Sequence, residues 1–136
     1  MLLYLRQFYS WLKQATLKNL FYGLRTSFLI HEEEFIMKNI EAIVRKERFE
    51  VIYDVLVKSG IGGMTVSEAK GFGHHRNGLR DKVKIEIYAD EFQVDKVVDM
   101  IRNIARTGES GDGKIAVLNL ERLYRIRTGE EGAGAV

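Results

Sequence analysis

From Met37 onward the hydrophobic period of this chain moves back and forth between two and 3.6 residues, and the order of those changes leaves little choice of fold. Ile40, Ala42 and Val44 alternate with other residues, as in a strand with one buried face. Phe49, Ile52, Tyr53 and Leu56 then share one helical face, which stops at Ser59-Gly60. Met64 and Val66 open a second strand that runs into a glycine-rich loop. Val83, Ile85 and Ile87 alternate with Lys84, Glu86 and Tyr88 in a third. Val94, Val97, Val98, Ile101, Ile104 and Ala105 line a second helix, and Ile115 to Leu120 reads as a fourth strand. A basic tail follows, Arg122 to Arg127, with Arg125 and Arg127 on one face of extended chain. The order β-α-β-β-α-β predicts an α+β domain of ferredoxin-like shape, a four-stranded sheet with two helices on one face. The helix-free face of such a sheet is often buried by oligomerisation.

The 136 residues suffice for one domain with a real core, not for two. A net charge of +2 is too small to argue for a nucleic-acid partner. The absence of cysteine excludes disulfides, zinc–thiolate sites and thiol catalysis. Without proline, glycine does all the punctuation. Charges interrupt every apolar stretch before it reaches the length of a bilayer span, and nothing points to export, so a cytoplasmic location is expected.

Residues 1–30 differ in texture. They hold Arg6, Lys13, Lys18 and Arg25 and no acid. Leu5, Phe8, Tyr9 and Leu12, then Leu17, Leu20, Phe21 and Leu24, fall at helical spacing, which predicts an amphipathic helix broken near Gly23. A native helix of this kind would dock peripherally on a membrane or on a partner. The competing account is a start at Met37. Glu32-Glu-Glu-Phe-Ile-Met37 is encodable by a purine-rich stretch that would resemble a ribosome-binding site ahead of that methionine. The second account is favoured, and the expected division is 1–36 and 37–136.

Three runs carry the chemistry: Gly60 to Gly73, Thr107 to Ile115, and Arg125 to Glu130. Glycine lets backbone N–H groups approach phosphates closely, while Lys and Arg bring positive charge. Three such runs in one small domain predict a composite anion site, most simply for a nucleotide. Gly108 to Lys114 has the spacing of a P-loop, but Ile115 stands where a magnesium-binding Ser or Thr is required. The order helix–loop–strand is also reversed, so a P-loop is excluded. A plain helix cap and turn would need fewer glycines than this run contains. Gly71 to Gly78, taken alone, is a hairpin loop. His74 and His75 within it have no third metal ligand nearby, and Glu86 is most simply a solvent-facing strand residue. Arg125 and Arg127 suit a phosphate clamp, or form a surface charge pair. No nucleophile–base pair is evident, so no enzymatic activity is expected.

Together these residues resemble the PII signal-transduction proteins, trimeric sensors of nitrogen, carbon and energy status. The matching segments are Met37-Lys-Asn-Ile-Glu-Ala-Ile43, Gly63-Met-Thr-Val66, Lys70-Gly-Phe-Gly73, Lys82-Val-Lys-Ile-Glu-Ile87, Ala105-Arg-Thr-Gly108, Gly111-Asp-Gly-Lys-Ile115 and Arg125-Ile-Arg-Thr-Gly-Glu130. The resemblance implies a homotrimer with ATP or ADP in each cleft between subunits, and magnesium accompanying ATP. One subunit would supply Ile43, Gly71, Phe72, Gly73, His74 and Glu86. Its neighbour would supply Gly63, Met64 and Thr65, then Gly111, Asp112, Gly113 and Lys114, and finally Arg125 and Arg127. Thr65 and the strand around Glu86 would meet adenine, while Lys114 and the two arginines would meet the phosphates.

The departures fall on the output loop and the 2-oxoglutarate site. Only about nine residues, His74 to Lys82, join Gly73 to Val83, roughly a dozen fewer than in the long T-loop of the family. Neither the loop tyrosine that many bacterial members uridylylate nor the loop arginine that plugs ammonium channels has a counterpart. His75 stands where the family has a glutamine that helps hold magnesium with 2-oxoglutarate, and Lys82 matches the lysine that meets the 2-oxoglutarate carboxylate. The resemblance therefore implies a regulator that reads ATP against ADP and acts on nitrogen-related transporters, enzymes or regulators through a different surface, with Arg76 and Arg80 available for one contact. The alternatives are a membrane-associated structural trimer with degenerate nucleotide binding, and a metal-binding trimer of the copper-tolerance shape using His74 and His75.

Overall fold

A computed structural model of the chain describes residues 2–7, 36–75 and 78–136. The chain divides into two compact units, 1–33 and 34–136. In the first, residues 2–7 are helical, with Leu2, Leu3 and Tyr4 well exposed. The helical faces expected between residues 8 and 30, residues 31–35, and Arg76 lie outside the described residues.

The second unit follows the expected order. β1 (Met37–Arg45) leads through a short 3-10 turn, Lys46–Arg48, into α1 (Phe49–Lys58). β2 (Thr65–Gly71) and β3 (Arg80–Asp90) form a hairpin, followed by α2 (Glu91–Ala105) and β4 (Gly113–Asn119). The sheet order is β2-β3-β1-β4, antiparallel at every pairing. This is the ferredoxin-like arrangement, with the first and third strands in the centre.

Helix boundaries have local causes. The Asp90 carboxylate accepts the N–H groups of Phe92 and Gln93 at 3.1 and 3.2 Å, capping α2. At the end of α1 the Ser59 hydroxyl donates to the Leu56 carbonyl at 2.6 Å, and Gly60 takes the left-handed conformation that ends the helix. Of the residues expected on the α1 face, Ile52 and Leu56 are fully buried, Phe49 packs at the margin of the core and Tyr53 is exposed.

Register sorts the side chains of the sheet. Ile40 lies opposite Ile87, Ala42 opposite Ile85 and Val44 opposite Val83. These six join Ile52, Leu56, Val97 and Ile101 beneath the helices. Burying each large aliphatic side chain contributes roughly 1.5–3 kcal/mol. The opposite face carries Asn39, Glu41, Ile43 and Arg45 from β1, with Lys82, Lys84, Glu86 and Tyr88 from β3. No helix covers it.

Two elements differ from expectation. β4 starts at Gly113 rather than Ile115, because Gly113 and Lys114 pair with Val44 and Ile43 although neither carries a hydrophobic signal. The basic tail is not simply extended: Ile126 to Thr128 form a turn, closed by the Arg125 N–H on the Glu130 carbonyl (2.8 Å) and the Gly129 N–H on the Arg125 carbonyl (2.8 Å). Tyr124 then bridges Glu131. Arg125 and Arg127 therefore do not share one face of an extended segment.

Candidate functional site

The loop between α2 and β4 owes its shape to one carboxylate. Asp112 accepts the N–H groups of Thr107 (2.8 Å) and Gly108 (2.9 Å) and the Thr107 hydroxyl (2.5 Å). From the end of β1, Arg45 Nε donates to the same carboxylate at 3.2 Å, and its terminal nitrogen donates to the Ser110 carbonyl at 2.5 Å. Lys82, on β3, donates to the Gly111 carbonyl. The Thr107 hydroxyl and N–H, which outweigh an opposing effect of desolvation, followed by the Gly108 N–H and Arg45, hold the Asp112 carboxyl well below the usual carboxylate range.

Glycine is required where the loop meets the sheet. Gly113 has φ +103°, and a Cβ there would lie 1.7 Å from the Ile43 carbonyl oxygen. No other residue lets the chain approach β1 so closely. Lys114 follows at once, opposite Ile43 in register and exposed. Among the described residues, neither Lys114 nor Arg127 has a side-chain partner. Arg125 is engaged: it donates to Glu130 at 2.8 Å and to the Val136 carbonyl oxygen at 2.5 Å.

The other expected residues fall at two ends of one strand. Gly63, Met64 and Thr65 lead into or begin β2, and Gly71, Phe72, Gly73 and His74 finish and follow it. β2 is seven residues long, so its ends are roughly 20 Å apart. Thr65 lies opposite Glu86, which in turn lies opposite Glu41. Lys84 bridges the two carboxylates, at 3.1 Å from Glu86 and 3.7 Å from Glu41. The hydrogen bond to Glu86, with further help from Glu41, raises the pKa of Lys84 despite some desolvation. Glu86 is therefore half-buried in a charge network rather than simply facing solvent. Phe72 is well exposed, and the His74 and His75 rings meet edge-on at 5.7 Å.

A cleft of about 740 Å³ opens at this end of the sheet. Four cations, Arg45, Lys46, Lys70 and Arg80, and two carboxylates, Glu47 and Asp81, line it together with Gly71 to Gly73, His75, Ser110 and Gly111. Among the described residues no group of three His, Cys, Asp or Glu lies close enough to hold a metal ion, and no helix is long and apolar enough to cross a membrane.

The family model for nitrogen regulatory protein P-II matches residues 37–130. The chain belongs to the P-II family. Its relatives include the nitrogen regulatory proteins P-II of Nostoc punctiforme, 45% identical, and of a Synechocystis species, 44% identical, each over 112 residues, covering 74% of this chain and the whole of the relative. Among solved structures, Arabidopsis thaliana PII bound to citrate superposes with a TM-score of 0.67 at 44% identity, over 75% of this chain and 94% of that one. The GlnK–ATP complex of B. subtilis gives 0.67 at 33% identity, over 74% and 98%. P-II proteins are signalling regulators, not enzymes.

Sequence reasoning missed Arg45, Thr107 and Ser110 as parts of the site. The Thr107 run was visible, but Arg45 lies 67 positions from the aspartate it holds, and no local pattern links them.

Proposed function

We propose that this P-II chain is a homotrimeric adenine-nucleotide sensor, with ATP and ADP competing for clefts between subunits. The observation that carries the reading is the glycine loop 108–113, seated on β1 with Lys114 exposed beside it and without a side-chain partner among the described residues. Backbone N–H groups and a free ammonium in that arrangement suit a polyphosphate. The B. subtilis relative, a GlnK–ATP complex, supports the choice of ligand.

Two features favour a site shared between copies. Gly63 to Thr65 and Gly71 to His74 sit at opposite ends of β2, so one small ligand meets both sets only when two subunits contribute. On the helix-free face the buried Asn39 Oδ1 has no donor among the described residues, as expected where a second copy covers that face. In the trimer Ile43, Gly71, Phe72, Gly73, His74 and Glu86 of one subunit would face Gly63, Met64, Thr65, Gly111 to Lys114, Arg125 and Arg127 of the next. Binding would draw Arg125 away from Glu130 toward phosphate. Magnesium would travel with ATP, its coordination completed by phosphate oxygens and water.

His75 and Lys82 are the proposed contacts for 2-oxoglutarate, and the shortened loop between β2 and β3 is the proposed reason for a changed output surface. The protein targets would be nitrogen-related transporters, enzymes or regulators in the cytoplasm. A second reading, a structural trimer attached to membranes, rests on the exposed Leu2, Leu3 and Tyr4, and liposome flotation with and without residues 1–36 separates the two.

Titration calorimetry with ATP and ADP, each with and without 2-oxoglutarate, tests the main reading. Micromolar binding of both nucleotides is expected, with Lys114→Ala weakening it about tenfold or more. No nucleotide binding would end it.

A further inference from the structure

Asp112 presents a difficulty for an anion site: it places a carboxylate inside the loop that is meant to receive phosphate. The geometry resolves it. The carboxylate is turned into the loop, where three donors from Thr107 and Gly108 surround it, and the Arg45 guanidinium covers it from β1. Arg45 also reaches the Ser110 carbonyl, so one rigid side chain fixes the loop at two points. Lysine has no fork with which to do both.

We propose that Arg45 and Asp112 are paired positioning residues that preset the 107–113 loop for the phosphates of the nucleotide. This rests on the nucleotide reading above and deepens it. It assigns Asp112 a place inside the loop rather than on the ligand, and it adds Arg45, which lies on another element. A loop already folded loses less conformational freedom on binding, so holding it raises affinity without any contact to the ligand. Arg45 has a second effect. Without it the Asp112 charge would stand uncovered next to incoming phosphate. Gly113 completes the arrangement by allowing the downstream end of the loop to rest on the Ile43 carbonyl.

The test is calorimetry on the full chain with ATP, ADP and adenosine, using the parent, Arg45→Ala, Arg45→Lys, Asp112→Ala and the Arg45→Ala/Asp112→Ala double variant. Circular dichroism melts check that each variant is folded. Each single alanine variant should weaken ATP and ADP about tenfold, with adenosine unchanged because the adenine contacts do not depend on this loop. Arg45→Lys should remain weakened despite its charge. The double variant should lose no more than the worse single one, as members of one unit do. Amide exchange at Thr107 and Gly108 should quicken in both alanine variants.

Single variants that bind ATP like the parent would overturn the proposal. So would equal losses for ATP and adenosine, which would mark a general structural defect, or losses that multiply in the double variant. A parent chain that binds neither nucleotide sinks the nucleotide reading itself, and the proposed role with it. A parent that binds while its variants are unaffected sinks only the role of Arg45 and Asp112.

Discussion

Two loops at the same end of the sheet are held in contrasting ways. The loop from Arg106 to Asp112 is built from within: one aspartate gathers the donors of Thr107 and Gly108, and Arg45 and Lys82 tie the loop to the sheet. The connector between β2 and β3, residues 72–79, makes no such contacts among its described residues beyond the edge-on meeting of two imidazoles. Phe72 and Leu79 there are largely exposed. Under the proposed function, the contrast fits a division of labour. A loop that receives the same small anion each time benefits from being preset, whereas a segment that meets a protein partner can take its final shape from that partner.

The largest effect is expected at Gly113. A side chain there collides with the β1 backbone in a conformation already unfavourable for any other residue. Gly113→Ala should cost about 3 kcal/mol and lower the melting temperature by about 10 °C, and it should abolish tight nucleotide binding. A thermal melt beside calorimetry checks both. An unchanged melt would show that the first loop is no more firmly seated than the second.

Acid should sharpen the contrast next. Because the folded-state pKa of Asp112 is depressed, the stability it lends is complete above the ordinary carboxylate value of about 3.9 and is lost only as pH falls further, through its own lower value. The Thr107 and Gly108 amide signals should therefore stay constant in NMR from pH 7 down to about pH 4. Titration of those signals between pH 5 and 4 would show that the carboxylate is not held as described.

The smallest effect belongs to the connector. Leu79→Ser removes an exposed side chain and should change stability by no more than about 0.5 kcal/mol in urea unfolding. Nucleotide affinity should stay the same. A large loss of stability would mean that the connector is packed more tightly than its exposure indicates.

Much of the fold was legible because periodicity is a local signal. The alternation at Ile40, Ala42 and Val44 marked the buried face of β1, and the spacing from Val94 to Ala105 marked the buried face of α2. The start of β4 was not legible, since Gly113 and Lys114 join the strand through pairing with β1 alone. The turn at Ile126 to Thr128 was missed for a similar reason: Glu130 folds the tail by reaching back to Arg125, and the run of arginines gave no sign of it. At the site, the glycines and cations were visible as residue types, but their engagement was not.

By itself the sequence determined the order of the elements, the faces that would be buried, the places where helices stop and the membership of the P-II family. Each of these depends on neighbours a few positions apart or on residue types at fixed spacing. Only the tertiary structure decided which charges are engaged. It set Arg45 on Asp112, Lys82 on Gly111 and Arg125 on Glu130, and it left Lys114 and Arg127 without partners among the described residues. Hydrogen bonds and ion pairs depend on distance in space. Sheet register and the packing of α2 against the sheet bring residues far apart in the chain within that distance.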